Sequence, residues 1–229
     1  MGADNGAVAL SGIWKYFGDF PALRDVTFTV PHGACLALLG RNGAGKTTLL
    51  KILCGLSNAS KGEVTLPPRE QRGIIGHGIG IYDELSAEEN LLLFARLYGA
   101  DQPHKVVDHW LERVNLAHVR TARAREFSRG MRQRLALART FLHSPKLLLL
   151  DEPFTSLDDR AIALLQELLR ERLAQGSTVI MSTHQLREAM ELASHAALLV
   201  RGKLSFFDAR PQEMLADPTW LYKTHGDVD

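Results

Sequence analysis

Cysteine is nearly absent: Cys35 and Cys54 are the only two in 229 residues, each inside an apolar stretch (ACLALLG and KILCGL). No disulfide framework is possible on that count, and a zinc site would take about four nitrogen or sulfur ligands, so both cysteines read as small buried hydrophobes. Net charge is lacking too. Lys and Arg number 27 against 26 Asp and Glu, a balance of +1, so no bulk field draws the chain toward nucleic acid or anionic lipid. No apolar run approaches the roughly 18 residues that span a bilayer. The first ten residues, MGADNGAVAL, have neither a basic start nor a long apolar stretch, so no export signal is visible and a soluble chain in a reducing, cytoplasmic setting is expected. Repeats, low-complexity tracts and Pro/Gly-rich linkers are also missing. What remains is an ordinary globular composition, 45% hydrophobic and 23% charged, with length enough for one generous domain over residues 7–229.

The pattern along the chain is strand, then helix, then strand. Residues 8–33 are rich in Val, Thr and aromatics and read as two antiparallel strands separated by the loop GDFPAL. CLALLG, residues 35–40, is a continuous apolar run closed by glycine, which suits a strand buried on both faces. The following RNGAGKTTLLKILCGL places Leu49, Leu50, Leu53 and Leu56 at helical spacing. Residues 86–143 carry three helical periods (88–98, 106–114 and 131–142) and no strand candidate, so they form a helical insert. Afterwards the alternation resumes: KLLLLDEP, a helix over 160–174, STVIMSTH, a helix over 185–193, then HAALLV, a GK turn and LSFFD. Alternating units of this kind predict a parallel sheet covered by helices on both faces.

Gly40-Arg41-Asn42-Gly43-Ala44-Gly45-Lys46-Thr47 fits G-x-x-x-x-G-K-[ST], between a predicted strand and a predicted helix. Its glycines let backbone N–H groups turn inward around a polyphosphate, Lys46 can reach the β- and γ-phosphates, and the Thr47 hydroxyl can ligate Mg²⁺. Thr48 continues the loop into the helix. A second site has to hold the metal and activate water. The strand 147–151 ends in Asp151-Glu152, which puts two carboxylates at the edge of the sheet where open α/β sheets bind ligands. Asp151 suits magnesium, through water, and Glu152 can orient or deprotonate an attacking water.

Across residues 8–221 these motifs resemble the ATP-binding cassette of ABC transporters. Phe127-Ser128-Arg129-Gly130-Met131-Arg132-Gln133-Arg134 is similar to that family's signature sequence, Ser156-Leu157-Asp158 to its D-loop, and Ser182-Thr183-His184 to the segment with its catalytic histidine. The resemblance implies an α/β, P-loop NTPase (RecA-like) parallel-sheet core with an N-terminal antiparallel β subdomain and an inserted α-helical signature subdomain. It implies ATP and Mg²⁺ as cofactors, and Glu152, His184 and Lys46 as catalytic groups. It implies a head-to-tail, ATP-dependent homodimer or paired cassette, in which Ser128, Arg129, Gly130 and Met131 of one copy cover the nucleotide held by the other. Phe17, just before Gly18, occupies the place of the ring stacked on adenine, with Tyr16 as the alternative and a core aromatic as the rival reading. From its residues alone, Ser128 can equally be a plain helix cap.

Two departures from the family pattern stand out. His77 takes the place of a glutamine that meets the metal's water, and the signature reads FSRGM. Together with the YDELSAEENL segment these resemble the haem-exporter ATPases of cytochrome c maturation. The resemblance thus implies an ATPase on the cytoplasmic side of the cell (inner) membrane, a peripheral subunit that energises export through separate integral membrane permease subunits, of haem or another hydrophobic cargo, with no nucleic-acid partner. The competing reading is a soluble ABC ATPase acting in DNA repair or translation; the absence of any heptad run between Lys46 and Asp151 argues against it. A regulator without turnover is disfavoured by Glu152. Leu91, Leu92, Leu93, Phe94, Leu97 and Tyr98 make one insert helix apolar nearly all round, fit for packing within the lobe or for a partner groove.

Overall fold

The computed structural model describes residues 7–76, 80–155 and 157–226. His77 and Ser156 lie outside the described residues. The N-terminal strands β1 (Val8–Phe17) and β2 (Phe20–Val30) pair antiparallel around a two-residue turn. The expected loop over 18–23 therefore shrinks to Gly18-Asp19, because Phe20, Pro21, Ala22 and Leu23 belong to β2. Next come β3 (Cys35–Leu39), helix α1 (Lys46–Leu53), β4 (Lys61–Thr65) and β5 (Arg72–Ile75). β4 closes a three-stranded sheet in the order β2-β1-β4. Neither β4 nor β5 is foreseen by the apolar pattern.

The insert over 86–143 carries three α-helices, α2 (Ala87–Leu97), α3 (Pro103–Arg113) and α4 (Arg129–Phe141), joined by turns, with one isolated β-bridge between Ser86 and Arg123. α2 starts at a reciprocal cap, in which Ser86 Oγ accepts from Glu89 N–H and Glu89 accepts from Ser86 N–H. Fully buried Asn90 fixes the chain before it, accepting from Tyr82 N–H at 2.7 Å and donating to the carbonyls of Tyr82, Leu85 and Ser86. Of the apolar α2 residues, Leu91 is buried and Leu97 is exposed. The arginine cluster beside it is charge-paired: Arg120 bonds Glu88 and Asp108, Arg125 meets Glu84, and Arg132 meets Asp83 at 3.1 Å.

The rest is β6 (Leu147–Asp151), α5 (Asp159–Ala174), β7 (Thr178–Ser182), α6 (Leu186–Met190), β8 (His195–Val200), β9 (Lys203–Ala209), α7 (Glu213–Ala216) and α8 (Trp220–His225). The main sheet runs β5-β6-β7-β3-β8-β9, with β9 antiparallel to β8 and every other neighbour parallel. The expected parallel sheet thus carries one antiparallel edge, since the two-residue turn Arg201-Gly202 can only fold a strand back on itself. The helix read over 185–193 shortens to Leu186–Met190.

The continuous apolar runs have a simple cause. Alternate residues of each inner strand enter different cores: Cys35, Ala37 and Leu39 pack with Leu148, Leu150, Val179 and Met181 against the helical side, whereas Leu36 and Leu38 join Leu147, Leu149 and Ile180 under α1 and the three-stranded sheet. Cys35 is buried, and desolvation pushes its thiol up to about 12, so it is an inert hydrophobe. Half-buried Cys54 is pushed up to about 11 in the same way.

Candidate functional site

In the order β6-β7-β3, three neighbouring strands end side by side, and each hands over to a segment singled out in the sequence. β3 leads into Gly40 and the glycine loop, β6 into Asp151-Glu152, and β7 into Ser182-Thr183-His184. Parallel strands put all three at the same edge.

The loop cannot be built from other residues. Gly40 has φ +150°, and a Cβ there would lie 2.6 Å from the Leu199 carbonyl oxygen. Gly45 has φ +107°, with 2.8 Å available to the Leu23 side chain and 2.9 Å to the Ala22 oxygen. Glycine alone tolerates both the conformation and the approach. Lys46 opens α1 and turns back into the loop, its Nζ donating to Gly40 O at 2.7 Å and Arg41 O at 3.3 Å. Only 9% of this residue is exposed. Burial lowers its pKa, opposed by the nearby Glu152 and Asp151 carboxylates. A desolvated ammonium whose partners are two carbonyls is suited to an anion.

Asp151 pairs in register with Ser182, whose hydroxyl donates to Asp151 Oδ1 at 2.5 Å. Glu152 has φ +53°, a left-handed conformation that costs a non-glycine residue about 1 kcal/mol or more. Its N–H donates to Ser182 O at 2.9 Å, which holds it there. The turn throws its carboxylate toward His184: Oε2 accepts from His184 N–H at 3.2 Å and stands 2.8 Å from Nδ1.

Phe17, Phe20, Ala22, residues 42–48, Glu152, Thr155 and His184 line one cavity of about 800 Å³. It gathers Asn42, Gly43, Ala44, Gly45, Thr47 and Thr48 with the three catalytic candidates Lys46, Glu152 and His184. Phe17 is 56% exposed at its mouth, not part of the core, and Lys15 Nζ lies 5.2 Å over its ring. Tyr16 instead stacks on Trp14. Sequence reasoning missed Phe20, the register partner of Phe17 and 63% exposed; the two-residue turn would have paired them. Gly40 and Arg41, expected at the nucleotide, are not among the residues lining this cavity. Gly40 N–H donates to Tyr222 Oη at 3.0 Å, and Arg41 lines a second cavity of about 360 Å³ behind the loop.

The signature residues are not part of that cavity's lining. Ser128 caps α4, its Oγ accepting from Met131 N–H at 3.3 Å. Arg129 lines a smaller cavity of about 180 Å³ with Asp151, Glu152 and Leu157. Asp158 caps α5 by accepting from Ala161 N–H at 2.8 Å and stands close to Gly130.

A sequence model of the ABC transporter family matches residues 23–155. Over 209 residues the chain is 36% identical to the Nod factor export ATP-binding protein I of Rhizobium sp. (strain N33), covering 86% of this chain and 69% of that one. The corresponding protein of Rhizobium meliloti is 35% identical, with 91% of this chain and 66% of the relative covered, so the chain spans about two thirds of these relatives. Among solved structures, one titled as the ATP-binding subunit of an ABC transporter superposes with a TM-score of 0.83 at 29% identity, covering 97% of this chain and 95% of that one. A family model over more than half the chain, a relative above one-third identity and the glycine loop beside Asp151-Glu152 agree: the chain belongs to the ABC transporter family, as one of its ATP-binding, ATP-hydrolysing domains.

Proposed function

We propose that the chain is the energising subunit of an exporter, hydrolysing Mg-ATP in the Phe17–His184 cavity and driving separate membrane-embedded subunits. The observation that carries it is the convergence of the glycine loop, Asp151 and the Glu152–His184 pair on the ends of three adjacent strands. The donor set suits a hard divalent cation: the Thr47 hydroxyl and the Asp151 carboxylate are oxygen ligands. Thr47 and Asp151 would hold Mg²⁺, which neutralises charge on the β- and γ-oxygens.

The chain's own groups supply the rest. Loop N–H groups and the start of α1 cradle the polyphosphate, and Lys46 exchanges its two carbonyl partners for phosphate oxygens. Glu152 accepts the proton of the attacking water. His184 Nδ1–H holds the Glu152 carboxylate in orientation. Phe17 supplies a stacking face for the base. Ser128, Arg129, Gly130 and Met131, outside this cavity, serve the nucleotide of a second copy in a head-to-tail dimer, with Leu157 beside Arg129 and Asp158 beside Gly130.

Export follows the relatives' names, which are Nod factor exporters. The haem cargo implied by the narrower resemblance finds no support among them, and the reading is export without a named cargo. No helix among the described residues is long and apolar enough to cross a membrane; it is membership of a transporter family and the exporter relatives that lead the reading to membrane-embedded partners, with this chain peripheral on the ATP-bearing side. The test is isolation of the chain from gently solubilised membranes, with ATPase activity assayed in the isolated complex. Co-purifying integral membrane subunits that stimulate hydrolysis support the reading; ribosomes or DNA in their place overturn it.

A further inference from the structure

The glycine loop is held from behind by the far end of the chain. Gly40 N–H donates to the Tyr222 hydroxyl at 3.0 Å, across 182 residues of sequence. A second tie joins the same regions: Gly202 N–H, in the β8–β9 turn, donates to Ala44 O at 3.1 Å, and Gly202 O accepts from Arg24 N–H at 2.7 Å. The Leu199 carbonyl fills the space beside Gly40. All three contacts come from residues beyond the 23–155 segment matched by the family model.

α8, which carries Tyr222, is itself anchored. Leu221 is fully buried, Ser205 Oγ donates to His225 O at 2.6 Å, and the His225 ring packs against Phe206 and Trp220 with centroids 5.1 and 5.9 Å away. Between this helix and the loop lies the cavity of about 360 Å³ lined by Arg41, Asn42, Leu199, Arg201 and Tyr222. That space is where the loop can relax when the tie is lost.

We propose that Tyr222 is a positioning residue for nucleotide binding, its hydroxyl oxygen fixing the Gly40 peptide so that the loop's N–H groups are set for a polyphosphate before it arrives. A buried N–H without an acceptor is costly. With Tyr222 in place, Gly40 N–H is satisfied and the peptides after it are not drawn away to find a partner. Without the hydroxyl, the cheapest relief is rotation of the loop into the rear cavity, and binding must then reverse that rotation. The inference rests on the loop being the ATP site.

The experiment compares the full chain with Tyr222→Phe, which keeps the ring packing and removes the acceptor. Expected are a Kd for Mg-ATP raised about tenfold with kcat within about twofold of the parent, and faster amide exchange over residues 40–44 with unchanged exchange in β3. Unchanged affinity and unchanged loop exchange overturn the proposal; so does faster exchange spread equally through β3, which marks general loosening. If the variant folds too weakly for kinetics, Ser205→Ala, which frees only the helix end, is expected to raise Kd severalfold in the same direction, and an unchanged Kd overturns the proposal. A parent protein that binds no Mg-ATP defeats the nucleotide reading alone, because amide exchange in the loop still tests the tie.

Discussion

The Glu152 carboxylate meets His184 twice through one oxygen, Oε2, which receives the backbone N–H at 3.2 Å and lies 2.8 Å from Nδ1. The contact exists because Glu152 takes a left-handed backbone turn at φ +53°. The turn stores strain at the carboxylate proposed above to activate water.

Glu152→Gln is expected to lower ATP hydrolysis on the order of 100-fold or more while ATP binding persists, leaving an ATP-bound dimer detectable by light scattering. Glu152→Gly is expected to lose hydrolysis equally and to gain about 1 kcal/mol of stability by urea denaturation, because glycine accepts the left-handed turn. Wild-type turnover in Glu152→Gln would remove this carboxylate from the reaction.

Ser128 has two candidate duties, helix cap and phosphate contact across a dimer, and one pair of variants separates them. Ser128→Ala is expected to cost about 1 kcal/mol of stability. Ser128→Asp keeps the cap to α4 and hence the stability, but sets a carboxylate against phosphate, so ATPase should fall more than about tenfold. An active, stable Ser128→Asp protein would leave Ser128 as a cap only.

Phe17 and Phe20 are exposed register partners. Phe17→Ala is expected to change stability by no more than about 0.5 kcal/mol and to raise the KM for ATP about tenfold, the worth of one base stacked on a ring. Titration calorimetry that finds equal affinity in variant and parent would place the base elsewhere.

His143 gives the fold an acid limit. Its Nε2 lies 3.1 Å from Arg72 O, so that nitrogen carries the hydrogen, and the ring stacks on Tyr98 with centroids 3.8 Å apart. Burial lowers its pKa, against the smaller opposing effect of the Arg72 bond. The unfolded chain therefore takes up this proton first as pH falls below about 6.5, and stability drops until the folded ring titrates too. Urea midpoints measured from pH 7 to 5 should fall less steeply in His143→Gln; parallel slopes would show that another group sets the limit.

Much of this architecture is legible in the residues, for a physical reason. β3, β6, β7 and β8 feed two cores at once, so their sequences are unbroken apolar runs. The glycine loop and Asp151-Glu152 follow directly because a strand end fixes where they fall. β4 was hidden because KGEVT pairs through its backbone while its side chains stay largely in water, and β5 because four residues with a glycine give too little pattern. Phe20 escaped because its strand begins three residues after Phe17, with no polar break beyond Gly18-Asp19 to mark the turn. The bond from Gly40 N–H to the Tyr222 hydroxyl leaves no local trace, since it joins residues 182 apart in sequence.

The strand order also has a consequence during synthesis. β3 pairs Cys35 with Val179 and Leu36 with His195, so the segment that carries the glycine loop leaves the ribosome long before either flanking strand exists. At ordinary translation rates that interval is roughly ten to thirty seconds. During it, CLALL is an apolar strand with unfilled hydrogen-bonding edges on both sides, the kind of exposed segment that invites mispairing until the last third of the chain has been made.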